Sequence, residues 1–391
     1  MLGSNLRHLR VFHAVAETGS VTRAAELCLV SQPAVTQAIA KLEAEAELPL
    51  FRRTSQGFFL TEAGALLARR GKRALDMLDG ALNEIAPRLP LTATRAQLLA
   101  LIATSEAQNF SLAARQLGIA QPTVHRAVTQ LEREAGKALF QRSAFGIVPT
   151  RACAMLARIA RLSFAELDQA VSELGDLVGR EVGEITIGAM PLARSHPMPK
   201  VLARFREKRP NLRIRIIEGT YDELLGQLRR GDLDFLIGAL RSPAPIEDVV
   251  QERVFDDDLV LLAGHHHPLL QRPLSLEVLR QQHWLVTRTG TPTRTQFDAM
   301  FHAAGLALPD SIIETGSVIL MREMMEISDV LSCVSHLQAR ADIDRKLVAV
   351  LPFAVPHSTR AIGLTYRRDW MPTPAQSLIM EEIRQASAEA L

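Results

Sequence analysis

The sequence predicts a multi-domain chain: two small, all-α-rich domains followed by a larger α/β unit built as two Rossmann-like lobes. Three observations predict it. A stretch of the first half recurs without a gap, the second half alternates short apolar strands with amphipathic helices, and 391 residues suffice for two or three domains. Apolar residues make up 47% and charged residues 23%, enough for sizeable cores. No uncharged apolar run approaches the roughly 18 residues that span a bilayer. Arg7, His8, Arg10 and Glu17 also interrupt any apolar leader. The expectation is a cytoplasmic chain with no membrane partner. Cys28, Cys153 and Cys333 lie far apart and form no C-x-x-C pair, which speaks against a disulfide framework or a zinc site. Net charge is +2, so charge alone names no partner.

Shifting the chain by 89 residues superposes 9–61 on 98–150, with 18 of 53 positions identical. Ala24-Ala25 falls on Ala113-Ala114, Gln32-Pro33 on Gln121-Pro122, Leu42-Glu43 on Leu131-Glu132 and Leu50-Phe51 on Leu139-Phe140. Arg53, Gly57 and Thr61 fall on Arg142, Gly146 and Thr150. Each copy predicts the same elements. Leu6, Leu9, Phe12, His13 and Ala16 trace one helical face, which Gly19-Ser20 ends. A short second helix carries the paired alanines. After a turn at 28–30, a third helix opens at Ser31, a good N-cap, with Pro33 in the first turn where a missing N–H costs nothing. Val35, Ile39 and Leu42 would face the core, leaving Gln32, Thr36, Gln37 and Lys41 outward. Residues 52–60 follow as a small hairpin with Arg52, Arg53 and a Gly57 turn.

This series is that of a winged helix-turn-helix. Its third helix fits a major groove, where Gln or Arg can make two hydrogen bonds to a base edge, and its wing arginines meet phosphates. Candidate DNA-binding residues are therefore Ser31, Gln32, Pro33, Thr36, Gln37, Lys41, Arg52 and Arg53 in copy one. In copy two they are Gln121, Pro122, Thr123, His125, Arg126 and Arg142. The alternative is a helical bundle whose polar face is merely solvated, or repeats that mediate protein contacts without DNA. The copies differ: Ala120 replaces the Ser31 cap, His125-Arg126 replaces Thr36-Gln37, and Gln141 replaces Arg52. Longer amphipathic helices are expected over 62–86, before Pro87 and Pro90, and over 151–178. Their apolar stripes suit helix pairing within or between chains, or equally a simple amphipathic helix packed on its own domain.

From Gly183 the period changes. Strands are expected at 184–188, 212–217, 234–238 and 258–263, with helices over 199–209 and 221–230 between them. A second lobe follows from His283, with helices over 293–304 and 318–327 and strands near 330–334 and 347–350. Residues 361–366 return to the first lobe. The pattern predicts parallel, doubly wound sheets, whose ligands sit beyond the carboxyl ends of the strands. Those ends supply Met190, Pro191, Leu192, Arg194 and Ser195, then Thr220, Leu240 and Arg241, then Thr287, Arg288, Thr289 and Gly290, and finally Ser335 and His336. Such a cleft favours a small anionic or polyhydroxylated organic molecule, of the aromatic-acid or sugar class. No G-x-S-x-G, phosphate-binding glycine loop or H-E-x-x-H is present, so no enzyme and no cofactor is expected. His265-His266-His267 reads as a crossover between lobes, with no metal.

At Ala24-Ala25, Ser31-Gln32-Pro33-Ala34-Val35, Leu42-Glu43 and Leu50-Phe51-x-Arg53 the chain resembles a LysR-type transcriptional regulator. Copy two is similar through Gln121-Pro122, Gly136 and Leu139-Phe140-x-Arg142. The second half is similar to that family's periplasmic-binding-protein-like effector domain at Gly231-Asp232-Leu233-Asp234, His267-Pro268-Leu269 and Glu314-Thr315-Gly316. The resemblance implies a regulator that binds double-stranded DNA, responds to a small effector and forms a homo-oligomer, dimer or tetramer. The family ordinarily has one winged domain, and this chain has two. Glu47 stands where the family favours glycine, and Leu192 where it often has a hydroxyl. The expected domains are 1–61 and 94–150 (winged helix-turn-helix), 62–93 and 151–180 (linker helices), and 181–391. Within the last, lobe I spans about 181–264 and 355–391 and lobe II about 265–354.

Overall fold

The computed structural model describes residues 5–55, 57–143, 146–244 and 246–389. The chain falls into two compact units, Met1–Glu184 and Ile185–Leu391. In the first, α1 (Leu6–Thr18), α2 (Val21–Cys28) and α3 (Gln32–Ala46) precede a hairpin of β1 (Phe51–Thr54) and β2 (Gly57–Leu60), then the long α4 (Glu62–Ile85). A single turn, α5 (Leu89–Thr92), forms where only a proline linker is expected. The series then recurs as α6 (Arg95–Ala107), α7 (Phe110–Leu117), α8 (Gln121–Ala135), β3 (Phe140–Ser143), β4 (Gly146–Pro149) and α9 (Arg151–Leu177).

The recurrence extends to individual hydrogen bonds. The Glu43 carboxylate accepts from the Leu50 and Phe51 N–H groups at 2.9 and 3.3 Å, and Glu132 accepts from those of Leu139 and Phe140 at 2.8 and 3.1 Å. Phe58 N–H donates to the Gly19 carbonyl, as Ile147 does to that of Gln108. Gly57 and Gly146 take φ of 132° and 134° at the same point of each hairpin, a conformation that excludes other residues. The shared Leu-Glu and Leu-Phe pairs are thus the bonds that hold each hairpin to the end of its third helix. Thr61 and Thr150 cap the long helices through Gly64 and Cys153 N–H. Helices α4 and α9 pack on each other, with Leu67, Leu78 and Leu82 joining Leu156, Leu167 and Leu174 in one core.

The second unit comprises β5 (Glu184–Ala189), α10 (Pro191–Ser195), α11 (Met198–Lys208), β6 (Arg213–Glu218), α12 (Tyr221–Arg230), β7 (Phe235–Ala239) and β8 (Val249–Asp257). After β9 (Leu259–Ala263) come α13 (Leu276–Arg280), β10 (His283–Val286), α14 (Pro292–His302), β11 (Ser311–Glu314), α15 (Val318–Ile327), β12 (Val330–Ser335) and α16 (His336–Asp344). The chain closes with β13 (Ala349–Val350), β14 (Arg360–Arg367) and α17 (Pro374–Ala388). Two sheets form, ordered β6-β5-β7-β14-β8 and β11-β10-β12-β9-β13.

Both sheets are mixed, which corrects the expectation of parallel ones. Strand β14 runs antiparallel to β7 and β8, and β9 runs antiparallel to β12 and β13, because strands entering after a crossover arrive from the opposite end. The lobe boundaries shift as well. Strand β9 pairs only within the second sheet, so the first crossover lies at Asp257-Asp258 and not at the histidines. Val355 belongs to the second lobe's core, so the chain returns only with β14. His267 is buried, and its Nδ1 accepts from Leu269 N–H at 3.1 Å, capping the turn Pro268–Gln271. Strand β8 was hidden by the charges in Val-Val-Gln-Glu-Arg-Val-Phe-Asp-Asp, which blur its alternation.

Candidate nucleic-acid interface and ligand cleft

Helix α3 buries Val35, Ala38, Ile39 and Leu42 and exposes Ser31, Gln32, Pro33, Thr36, Gln37 and Lys41. The Ser31 hydroxyl accepts from Ala34 N–H at 3.4 Å, and Thr36 Oγ1 donates back to the Gln32 carbonyl at 3.2 Å. Gln37, one residue on, points to solvent from the middle of this face. On the wing, Arg52 and Arg53 are exposed, and the Arg53 guanidinium lies 5.5 Å from the Phe58 ring centre, which props it outward. Copy two repeats the geometry. Helix α8 buries Val124, Val128 and Leu131 and exposes Gln121, Pro122, Thr123, His125 and Arg126, and Arg142 is exposed on its hairpin. Ala120 provides no side-chain cap. The His125 ring packs edge-on to Phe110, centres 5.0 Å apart, so the imidazole is oriented as well as exposed. All fourteen residues expected on the two reading heads therefore lie on the exposed faces of α3, α8 and their hairpins.

The second unit places the expected cleft residues unevenly. Leu192 is 6% exposed in an apolar cluster with Ala239, Phe255 and Ile362, so its side chain is core, correcting its assignment as a ligand contact. Met190 covers Gly238 so closely that a Cβ there would come within 2.6 Å of it. Ser335 is likewise committed: its hydroxyl donates to Asp257 at 2.9 Å and accepts from Gln338 N–H at 3.0 Å. Thr220 caps α12 in a capping box with Glu223, and Arg194 pairs with Glu218. Thr287 shares a 2.8 Å hydrogen bond with Thr291, and Thr289 donates to Glu314 at 2.8 Å. Pro191, Ser195, Arg288, Gly290 and His336 are exposed, and Leu240 is half-buried.

Arg241 is different. Its backbone is clamped by Gln251, which accepts from Arg241 N–H and donates to its carbonyl, both at 2.8 Å. Its guanidinium stands 4.4 Å from the Tyr221 ring centre, and its Nη1 is buried with no hydrogen-bond partner. The Tyr221 hydroxyl beside it is also buried and unpartnered. Burial lowers the Arg241 guanidinium from its usual range and raises the Tyr221 phenol, with the Asp222 carboxylate opposing the first shift and adding to the second. Across the lobes, Arg360 donates to Asp257 and Thr293, both at 2.7 Å, and Arg288 helps hold Glu223 below the usual carboxylate range after its hydrogen bonds to Thr220. Tyr221, Gln251, Asp257 and Arg360 were not read from the sequence. The first residue of a helix and the run Asp256-Asp257-Asp258 were the signals available.

Comparison with known proteins decides the family. A model of the LysR substrate binding domain matches residues 179–388, and one of the bacterial regulatory helix-turn-helix protein, lysR family, matches twice, at 6–65 and 96–154. The chain is a LysR-type transcriptional regulator. It is 37% identical over 388 residues to the HTH-type transcriptional regulator GalR of Pseudomonas putida strain KT2440, covering 98% of each. It is 28% identical to the HTH-type transcriptional regulator PcaQ of Agrobacterium fabrum over 71% of this chain and 89% of that one. A full-length OxyR variant from Pseudomonas aeruginosa shares the fold with a TM-score of 0.54 at 22% identity, over 75% of this chain and 98% of the other. CbnR, a LysR family transcriptional regulator, gives 0.52 at 20%, over 75% and 99%. As a member of this family the chain binds DNA and regulates transcription, with an effector-binding domain that modulates it. No helix among the described residues is long and apolar enough to cross a membrane.

Proposed function

We propose that this LysR-type regulator reads DNA with both winged units, through Gln37 and its neighbours on α3 and through His125 and Arg126 on α8, with Arg52, Arg53 and Arg142 on phosphates. One observation carries this: the two exposed polar faces are built over corresponding buried positions and by the same carboxylate–backbone bonds, repeated 89 positions apart. A chain that needed only one head would have no use for the second hairpin held in that way. The division into heads 1–61 and 94–150, linker helices, and a periplasmic-binding-protein-like domain of two lobes belongs to the same proposal, as does a homo-oligomeric, non-catalytic protein. The effector is a small organic anion, such as an aromatic acid, whose carboxylate meets Arg241 Nη1 and the Tyr221 hydroxyl, since these two buried donors lie side by side at a strand end and neither has an acceptor. Closing the lobes on it would shift the population between two arrangements of the heads. The test is anisotropy of labelled DNA against salt. Phosphate-dominated binding makes the logarithm of affinity fall linearly with that of salt concentration. Arg53→Ala should weaken all sequences and flatten that slope. Salt-independent binding would refute contact with the DNA backbone.

A further inference from the structure

We propose that the two winged units of one chain form an internal, two-fold-related pair keyed by Arg70, so that a single chain occupies both halves of an inverted DNA site. The DNA part of this rests on the reading above; the pairing does not.

The 89-residue shift that superposes the heads also places α4 on α9, with Ala74 on Ser163. These two residues meet: the Ser163 hydroxyl donates to the Ala74 carbonyl at 2.6 Å. Equivalent helices therefore cross at equivalent points. Their contacts run in opposite senses, because Arg70, before the crossing on α4, reaches Glu166, Gln169 and Glu173, after it on α9. Such a crossing defines a local two-fold axis, and two heads related by a two-fold match inverted half-sites.

The pairing is also selective. Arg70 is fully buried and donates to Glu166 at 2.9 Å, Gln169 at 2.8 Å and Glu173 at 2.6 Å. In the repeat Arg70 corresponds to Ile159, while Glu166, Gln169 and Glu173 correspond to Met77, Gly80 and Glu84. Two α4 helices packed in this register would set Arg70 against Met77, Gly80 and Glu84, leaving it one of its three partners. Two α9 helices would set buried Glu166 against Ile159. Two α9 helices would strand buried carboxylates, and two α4 helices would leave Arg70 one carboxylate in place of two carboxylates and an amide, so α4 favours α9 over a second α4. The structure satisfies that choice within one chain. The reading faces differ, Thr36-Gln37 against His125-Arg126, so the two halves of the DNA site differ too.

The experiment uses the full chain with Cys28→Ser, oxidised or treated with a short bis-maleimide. Ala74→Cys combined with Ser163→Cys should link within one chain, giving a mobility shift at the mass of a monomer that reduction reverses for the disulfide and not for the maleimide link. Each single variant should give no covalent dimer. A covalent dimer from the double variant, or from Ala74→Cys alone, would overturn the pairing, as would failure to link. In a second arm, DNA selected by the protein is titrated and footprinted. One chain should protect two inverted half-sites, with Gln37→Ala losing about ten-fold in one half and Arg126→Ala in the other. Two chains per pair of half-sites would overturn single-chain occupancy. Loss of all sequence selectivity with the internal link intact would overturn the DNA reading and leave the pairing standing.

Discussion

Replacing Arg70 with methionine should destabilise the N-terminal unit severely, and the structure fixes the size of the effect. The guanidinium is 0% exposed and donates to two carboxylates and an amide on α9 at 2.6 to 2.9 Å. Methionine fills a similar volume, so little packing is lost. What remains is Glu166 and Glu173, buried and held only by the half-buried Arg73 at 3.4 Å and the exposed Arg69 at 3.3 Å. Removing one partner of a buried ion pair costs about 3–5 kcal/mol, and in a unit of this size each kcal/mol moves Tm by about 2–4 °C. Thermal unfolding of the full chain should therefore show the first unit melting roughly 6–20 °C lower. Adding Glu166→Leu and Glu173→Leu should recover most of that, since a well-packed apolar replacement of a buried ion network is often neutral. A loss below about 1 kcal/mol, or one that persists in the triple variant, would refute the reasoning that a stranded charge sets the register.

Three further outcomes follow from individual residues. Glu47 ends α3 in the left-handed conformation, φ 55°, where copy two has Gly136 at 65°; Glu47→Gly should stabilise by about 1 kcal/mol, offset slightly by the exposed bridge to Arg180, and a drop in Tm would show that bridge to matter more. Burial, with Lys72 adding to it, holds the His13 imidazole at about 4 against 6.5 in the unfolded chain. The neutral ring therefore contributes stability above pH 6.5 that is lost as pH falls towards 4, about 2 kcal/mol by pH 5, and His13→Leu should flatten that fall in denaturant titrations. If the variant keeps the wild-type pH dependence, His13 is not its source. In calorimetry with carboxylate effectors, Arg241→Gln should weaken binding by about ten-fold or more, and Tyr221→Phe by less; unchanged affinity in both would move the anion site elsewhere.

The heads were legible because their sequence constraints are local and appear twice. Gln-Pro at a helix start, Leu-Glu before a turn and Leu-Phe-x-Arg at a wing each report one capping or hairpin bond, and Glu43 and Glu132 show why the glutamate is kept. The effector unit was legible as strands and helices but not in its crossovers. Which sheet β9 joins depends on partners roughly 70 to 90 residues away in β12 and β13, and no local pattern encodes that. Strand ends named the right loops and the wrong side chains. Leu192 and Ser335 are spent on packing and on Asp257, whereas Tyr221, at the first position of α12, faces Arg241 through a contact between distant segments. The Arg70 network was equally invisible, since a helical arginine among leucines reads as surface until α9 is laid against it.

The most direct measurement is selection of bound DNA from a random pool by the wild-type chain, Gln37→Ala and Arg126→Ala in parallel. The account predicts an inverted, unequal pair of half-motifs, with each variant relaxing a different half. Identical motifs from all three proteins, or no enrichment at low salt with candidate effectors present, would contradict it.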